Sequence, residues 1–342
     1  GASAAAITVN NSDGTCTGNI SNRPNYNLLI NGQFDVWQRA TTSGSTTSSG
    51  YNSADRWYFD ASGGTYTASQ QAFDVGQTDV PSNPKYYLRF NPTTADDFIG
   101  MQQRIEDVDS AQGQHTLSFW AKGTNPAGGS IQIVFLQNFG SGGSSQVNGT
   151  ISTFTVSGTW TKKTFTFTPT SISGKTIGAG SYFAISIRQP SGDDTSTAWT
   201  LDIANVKLEA GSKATDYQRI NYGQELALCQ RYFYNYMPAG NQNRNIGIGC
   251  YTGGGNQYEL SIRHPVVMRD TPTYEEVGGT DFFANFGNTG GNGIVTYSGF
   301  SADQLMNIST GLFTTNAGTH GGKATRARLN NASASMAFDA EL

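Results

Sequence analysis

The chain has 342 residues, of which 36% are hydrophobic, 12% aromatic and only 13% charged, with 42 glycines and a formal net charge of −4. Glycine in this amount, beside abundant Ser, Thr and Asn, supplies the turn positions that join short strands, while the aromatic fraction sustains a core and excludes a disordered chain. The acidic balance gives no electrostatic footprint for nucleic acid, and no apolar run reaches the ~20 residues of a membrane-spanning helix, so neither nucleic-acid binding nor membrane insertion is expected.

Residues 1–25 are polar apart from Ile7, Val9 and Ile20 and read as an extended arm able to dock on another chain. The opening GASAAAITV lacks the basic and apolar regions of a signal peptide. NLLINGQFDVWQR (27–39) and SADRW (53–57) follow, separated by the low-complexity loop ATTSGSTTSSG. KYYLRF (85–90), HTLSFWAKG (115–123), SIQIVFLQNF (130–139), KKTFTFTPT (162–170), SYFAISIRQ (181–189) and AWTLDIANVKLEAG (198–211) read as successive strands. KKTFTFTPT alternates, so one face meets solvent, whereas SIQIVFLQNF is apolar on both faces. In the last run Trp199, Leu201 and Ile203 share one side before the phase shifts to Val206 and Leu208, which predicts a bulge near Asn205.

YGQELALCQRY (222–232) is the one persuasive helix, with Leu226, Cys229 and Leu228 expected to face the core. At under four turns it depends on tertiary packing. Beyond a boundary placed near Ala239, NIGIGCY (245–251), QYELSIR (257–263) and ASASMAFDAEL (332–342) alternate again, the last implying an ordered strand up to Leu342. The fold class expected is therefore all-β.

Catalytic constellations are missing from the pattern. His115, His264 and His320 lie far apart, and Cys16, Cys229 and Cys250 have unrelated spacings that suit reduced, mostly buried thiols in a protein made in a reducing cytoplasm. The neighbouring carboxylates are Asp96 with Asp97, Glu106 with Asp107 and Asp109, Asp193 with Asp194, and Glu275 with Glu276. Adjacent residues on a strand point to opposite faces, so such pairs do not flank one bond, and no enzymatic activity is expected.

Several blocks occur in a fixed order: NLLINGQFDVWQR, SADRW, HTLSFWAKG, GTW (158–160), WTLDIANVKLEAGSKATDYQR (199–219) and ELALCQRYF (225–233). Together they resemble the carbohydrate-binding-module-like β-sandwich of tailed-bacteriophage tail fibres and other virion surface proteins. HPVVMRDTPT (264–273) resembles a motif of the fibre-tip domains that follow such sandwiches. The resemblance implies a jelly-roll-type β-sandwich followed by a second, smaller β domain, with one short linking helix. The expected division is an anchoring arm (1–25), a sandwich with linking helix (26–238) and a C-terminal tip (239–342). It further implies a virion fibre or spike on the tail or capsid surface, a homotrimer that binds host-surface polysaccharide, with its arm docked on other virion proteins. The alternative is a structural capsid-decoration or tail-bridging protein without receptor binding. Sandwiches of this kind often hold calcium through a carboxylate on the last strand. Here Ala204 stands at that position and Asp202 two residues earlier, so no metal or other cofactor is expected.

Sugar rings stack on aromatic side chains. Trp37 and Trp199 lie in alternating runs and are expected in the core, whereas Trp120 is out of phase with Leu117, Phe119 and Ala121 and should reach a second face. Tyr251, Phe282, Phe283, Phe286, Tyr297 and Phe300 lie beside Gly-rich stretches read as loops, suited either to recognition or to a trimer interface. The glycan-binding candidates are thus Tyr251, Phe282, Phe283, Phe286, Tyr297 and Trp120. With few charges along the chain, recognition is expected to rest on stacking and neutral hydrogen bonds and to tolerate salt.

Overall fold

In a computed structural model of the chain the described residues are 8–9, 16–17, 26–94, 98–190, 198–240, 245–252, 257–277, 282–285, 292–297, 304–305, 308–315, 324–329 and 335–342. β1 (Thr8–Val9) and β2 (Cys16–Thr17) pair antiparallel. Ten strands then follow: β3 (Tyr58–Ser62), β4 (Thr65–Ala72), β5 (Tyr86–Thr94), β6 (Phe98–Glu106), β7 (His115–Thr124), β8 (Ile131–Asn138), β9 (Val147–Phe154), β10 (Thr161–Phe167), β11 (Tyr182–Arg188) and β12 (Thr200–Ala210). They form two five-stranded antiparallel sheets, ordered β10-β7-β12-β5-β4 and β3-β6-β11-β8-β9. The chain passes repeatedly from one sheet to the other, and the two pack as a jelly-roll-type sandwich.

The period-2 alternation explains the core. Leu117, Phe119 and Ala121 of β7 and Leu88 and Phe90 of β5 pack against Ile133 of β8 and Phe183, Ile185 and Ile187 of β11. β10 buries Phe167 and half-buries Phe165 while Lys162, Thr164 and Thr166 face solvent. β8 also buries Val134 on its other face, so it is covered on both sides there. Trp57 and Trp199 are fully buried, but Trp37 is only half-buried at the core margin, its indole N–H donating to the Phe34 carbonyl at 2.5 Å. The β12–β7 register shifts between Ala204 and Lys207, with Asn205 at φ 52°, which is the bulge expected from the phase change.

The blocks at 27–39 and 53–57 close one end of the sandwich. Asn31 sits at φ 58°, donates from its side-chain amide to the Val36 and Asp55 carbonyls (2.8 and 3.0 Å) and accepts the Val36 N–H (3.0 Å). Gly32 is required because a Cβ there would lie 2.2 Å from the Val206 carbonyl. Phe34 packs on Trp57 with ring centroids 5.3 Å apart. The same loops grip distant chain: Gln38 donates to the Phe233 carbonyl (2.7 Å), Arg39 pairs with Asp339 (2.7 Å), and the buried Arg56 pairs with Glu341.

α1 (Tyr222–Gln230) is capped by Asn221, whose side chain accepts the Gln224 N–H. It differs from expectation on its faces. Cys229 is buried as a free thiol, but Leu228 is exposed, Leu226 is half-buried, and Glu225 is buried instead. Glu225 goes inward because its carboxylate accepts the Asn31 N–H at 2.5 Å, a polar demand that apolar periodicity does not register. The side chains of Cys16 and Cys250 lie outside the described residues.

β13 (Phe233–Met237) precedes the remaining strands, β14 (Asn245–Thr252), β15 (Gln257–Arg263), β16 (Thr273–Val277), β17 (Phe282–Asn285), β18 (Asn292–Tyr297), β19 (Gln304–Leu305), β20 (Ile308–Thr315), β21 (Ala324–Leu329) and β22 (Ser335–Asp339). β13, β22 and β16 form a small sheet with β22 in the centre. β15-β14-β21-β17-β18-β20 pair in sequence, and a β15–β20 pairing closes the ring, with β19 added on β20. Closure leaves no open edge among those six strands.

Beside the small sheet, His264 is buried edge-on to Phe338, with ring centroids 4.6 Å apart, and burial lowers its pKa to about 4. In the unfolded chain the imidazole titrates near 6.5. Its contribution to stability is therefore complete above pH 6.5 and is lost as pH falls from there through about 4, where the unfolded state binds the extra proton. His264→Phe should flatten the fall in urea midpoint across that window; an unchanged slope would assign the acid sensitivity elsewhere.

Candidate functional site

β12 lies in the middle of its sheet, and its outward residues alternate with the core-facing Leu201 and Ile203. The register sets Asp202 beside Arg89 of β5 and Lys122 of β7, and Ala204 beside Trp120. All five side chains consequently share the outer face of the sheet. Val80, Tyr87 and Ala204 form an apolar cluster there, with the half-buried Phe73, Trp120 and Trp160 packed against it. Tyr87 meets Trp160 edge-on at 5.2 Å, and Phe73 tilts against Tyr87 and Trp160 at 4.8 and 5.2 Å between centroids.

Beside this aromatic wall lies a cavity of about 450 Å³ lined by Arg89, Asn91, Lys122, Gly123, Thr200 and Asp202. Gly123 has φ 146°, and a Cβ on it would lie 1.9 Å from the Thr200 carbonyl, so only glycine permits this approach of β7 to β12 under the cavity. A second hollow of about 210 Å³, bounded by Ser118, Trp120, Lys162, Asn205, Asp216 and Tyr217, lies further along the same face. From Lys122 to Ser118 the strand rises about 13 Å, enough for the two hollows and the rings to accommodate an extended chain.

Close ion pairs fix this face. Asp202, 2% exposed, accepts both prongs of the Arg89 guanidinium, Nε at 2.7 Å and Nη2 at 2.8 Å, and those bonds raise the Arg89 pKa above its ordinary value. Lys207 is buried against Glu209 at 3.2 Å and donates to Thr215 Oγ1 at 2.5 Å; burial lowers its pKa. The arrangement offers flat rings, amide and hydroxyl groups, and positioned cations, which is chemistry for holding a polyhydroxylated ring. Among the described residues no three His, Cys, Asp or Glu side chains gather as a metal-binding group. Asp202, two residues before Ala204, is held by Arg89. No helix among the described residues is long and apolar enough to cross a membrane.

On the opposite sheet the outward Tyr58 and Tyr182 lie under the Arg104 guanidinium, 4.2 and 5.0 Å from the ring centroids. Arg104 also donates to the Leu342 carbonyl, so the chain's own C-terminal segment occupies that end of the face.

Of the sequence candidates, Trp120 is on the outer face beside Ala204. The tip residues differ from their expected placement. Tyr251 lies in β14, Phe282 and Phe283 in β17, and Tyr297 in β18, all in strand backbone and not in loops; Phe286 and Phe300 are outside the described residues. The reason is that aromatic residues fit a pleated strand. Sequence reasoning missed Phe73, Tyr87, Trp160, Arg89 and Lys122. The available signal was phase: Tyr87 and Arg89 alternate with Leu88 and Phe90 as Trp120 and Lys122 do with Phe119 and Ala121.

Comparison with known proteins gives one partial family match. A sequence profile described as a carbohydrate binding domain matches residues 26–178, which takes in the sandwich from before β3 to before β11. That description is of a binding module. Among solved structures, a family 11 carbohydrate-binding module of a Clostridium thermocellum cellulosomal cellulase is 13% identical, covering 51% of this chain and 98% of its own, with a TM-score of 0.31. The enzymatically active domain of tailspike protein 4 from bacteriophage CBA120 is 15% identical, covering 54% of this chain and 21% of that one, with a TM-score of 0.31. A cyclase from Fischerella sp. is 12% identical, covering 56% and 99%, with a TM-score of 0.34. A search of curated proteins gave no match.

Proposed function

We propose that the chain is a surface fibre or spike protein of a tailed bacteriophage and binds host-surface polysaccharide through the outer face of the β10-β7-β12-β5-β4 sheet, as a homotrimer. The observation that carries the binding reading is the cavity of about 450 Å³ lined by Arg89, Lys122 and Asp202, with the Trp160 and Tyr87 rings beside Lys122, within a domain whose profile match is to carbohydrate binding. The virion reading is supported by the ordered sequence blocks and by their structural work. The loops at 27–39 and 53–57 lock the sandwich to the strands that follow, as a multi-domain fibre requires. The polar residues 1–25 are assigned to docking on another virion protein.

Each stacking or hydrogen-bonding contact contributes on the order of 1 kcal/mol, so one site is weak and three tethered copies supply avidity. Trp160→Ala should weaken binding on a glycan array about tenfold and reduce adsorption to host cells, while leaving the melting temperature within a few degrees. Normal binding by the folded variant would remove the outer face from consideration. If adsorption is then abolished by replacing Phe282 and Phe283 with alanine, the C-terminal barrel holds the site. A stable monomer in light scattering would overturn the trimer.

A further inference from the structure

The cavity beside Trp160 is lined by two cations and one anion. The anion is already committed, because both Asp202 oxygens accept from Arg89, at 2.7 and 2.8 Å. Lys122 is placed differently. Its ammonium is 3.8 Å from Asp202 Oδ2, beyond hydrogen-bonding distance, and the side chain is 28% exposed. It stands 5.0 Å from the Trp160 ring centre and 5.5 Å from that of Tyr87. Among the described residues, then, no acceptor lies within hydrogen-bonding distance of the ammonium, which is held over the rings at the mouth of the cavity. Its three N–H donors are available to an acceptor on a sugar held in the cavity that Lys122 lines.

Resting on the carbohydrate-binding reading of this face, we infer that the site selects sugars bearing a carboxylate, with the Lys122 ammonium receiving it. A neutral sugar leaves that cation sharing the one carboxylate of Asp202 with Arg89; a uronate supplies a second counter-charge at a partly desolvated position. The Nε–Nη2 edge of Arg89 is filled by Asp202, and the single ammonium of Lys122 suits one compact acidic group. The low charge of the whole chain, which suggests recognition indifferent to salt, averages over this local excess of positive charge.

The test uses the full chain and a panel of galacturonate, glucuronate and mannuronate oligosaccharides, each beside its neutral parent sugar and its methyl ester. The expected result is that at least one uronate binds about tenfold more tightly than its parent and its ester, and that added salt reduces the difference. Lys122→Met, which keeps the stem over the rings, should lower uronate binding to the level of the neutral sugars with unchanged melting temperature. Equal binding of acid and ester, or uronate binding untouched in Lys122→Met, overturns the inference; if Trp160→Ala still abolishes that binding, the site itself stands. Absence of binding to every sugar, or binding indifferent to Trp160→Ala, removes the site and this inference together.

Discussion

Replacing Glu341 with glutamine should lower the stability of the folded chain by roughly 3–5 kcal/mol, although the residue lies at the far end of the sequence from the sandwich strands it touches. Its carboxylate pairs with Arg56, whose side chain is 1% exposed, and with Arg39 at 3.4 Å. Removing the negative charge leaves the Arg56 guanidinium buried beside Trp57 with neutral acceptors, the Arg104 carbonyl and the glutamine amide oxygen, in place of its counter-ion. The Tyr232 ring, 3.4 Å from the Arg56 guanidinium carbon, offers only partial compensation. Urea unfolding followed by tryptophan fluorescence reports the effect. Asp270→Asn is the control: its pair with Arg269 is 3.8 Å long and Asp270 is 65% exposed, so its loss should cost under about 0.5 kcal/mol. A Glu341→Gln effect as small as the control's would mean that the C-terminal segment does not hold the sandwich.

Asn31→Ala should cost at least about 3 kcal/mol by a different route. The Asn31 side chain is fully buried and makes three hydrogen bonds to backbone groups of Val36 and Asp55. Alanine leaves those groups without partners, at about 1–3 kcal/mol for each buried unsatisfied group, and must itself hold φ 58°, where asparagine is tolerated and alanine is not. Asn31→Gly separates the two causes. It should recover about 1 kcal/mol of backbone strain and none of the hydrogen bonding. If glycine restores full stability, the side-chain bonds contribute little and the conformation alone explains the residue.

The two replacements show where the sequence was legible and where it was not. Leu117, Phe119 and Ala121, or Phe165 and Phe167, declare their sheet and core face because alternation is a local consequence of the pleat, readable within one strand. The bulge at Asn205 was legible for the same reason, as a break in that alternation. The outward phase of Trp120 likewise followed from its neighbours. Nothing local told that Trp160 and Tyr87 would meet, or that Lys122 would stand over both, since those contacts join β5, β7 and the turn before β10. The inward turn of Glu225 and the pairing of Arg56 with Glu341 were equally hidden. Each is a polar group buried only because a partner from remote chain arrives to satisfy it, at separations of 194 and 285 residues. Sequence pattern by itself determined the all-β class and, for strands with clear alternation such as β7, β10 and β12, their faces, because side-chain alternation and turn chemistry act between neighbours. The tertiary structure alone decided which strands stand side by side, and with that the cavity, the Lys122 ammonium that lines it and the pairing of Arg56 with Glu341, because a buried charge or ring is stable only beside a partner that long-range folding supplies.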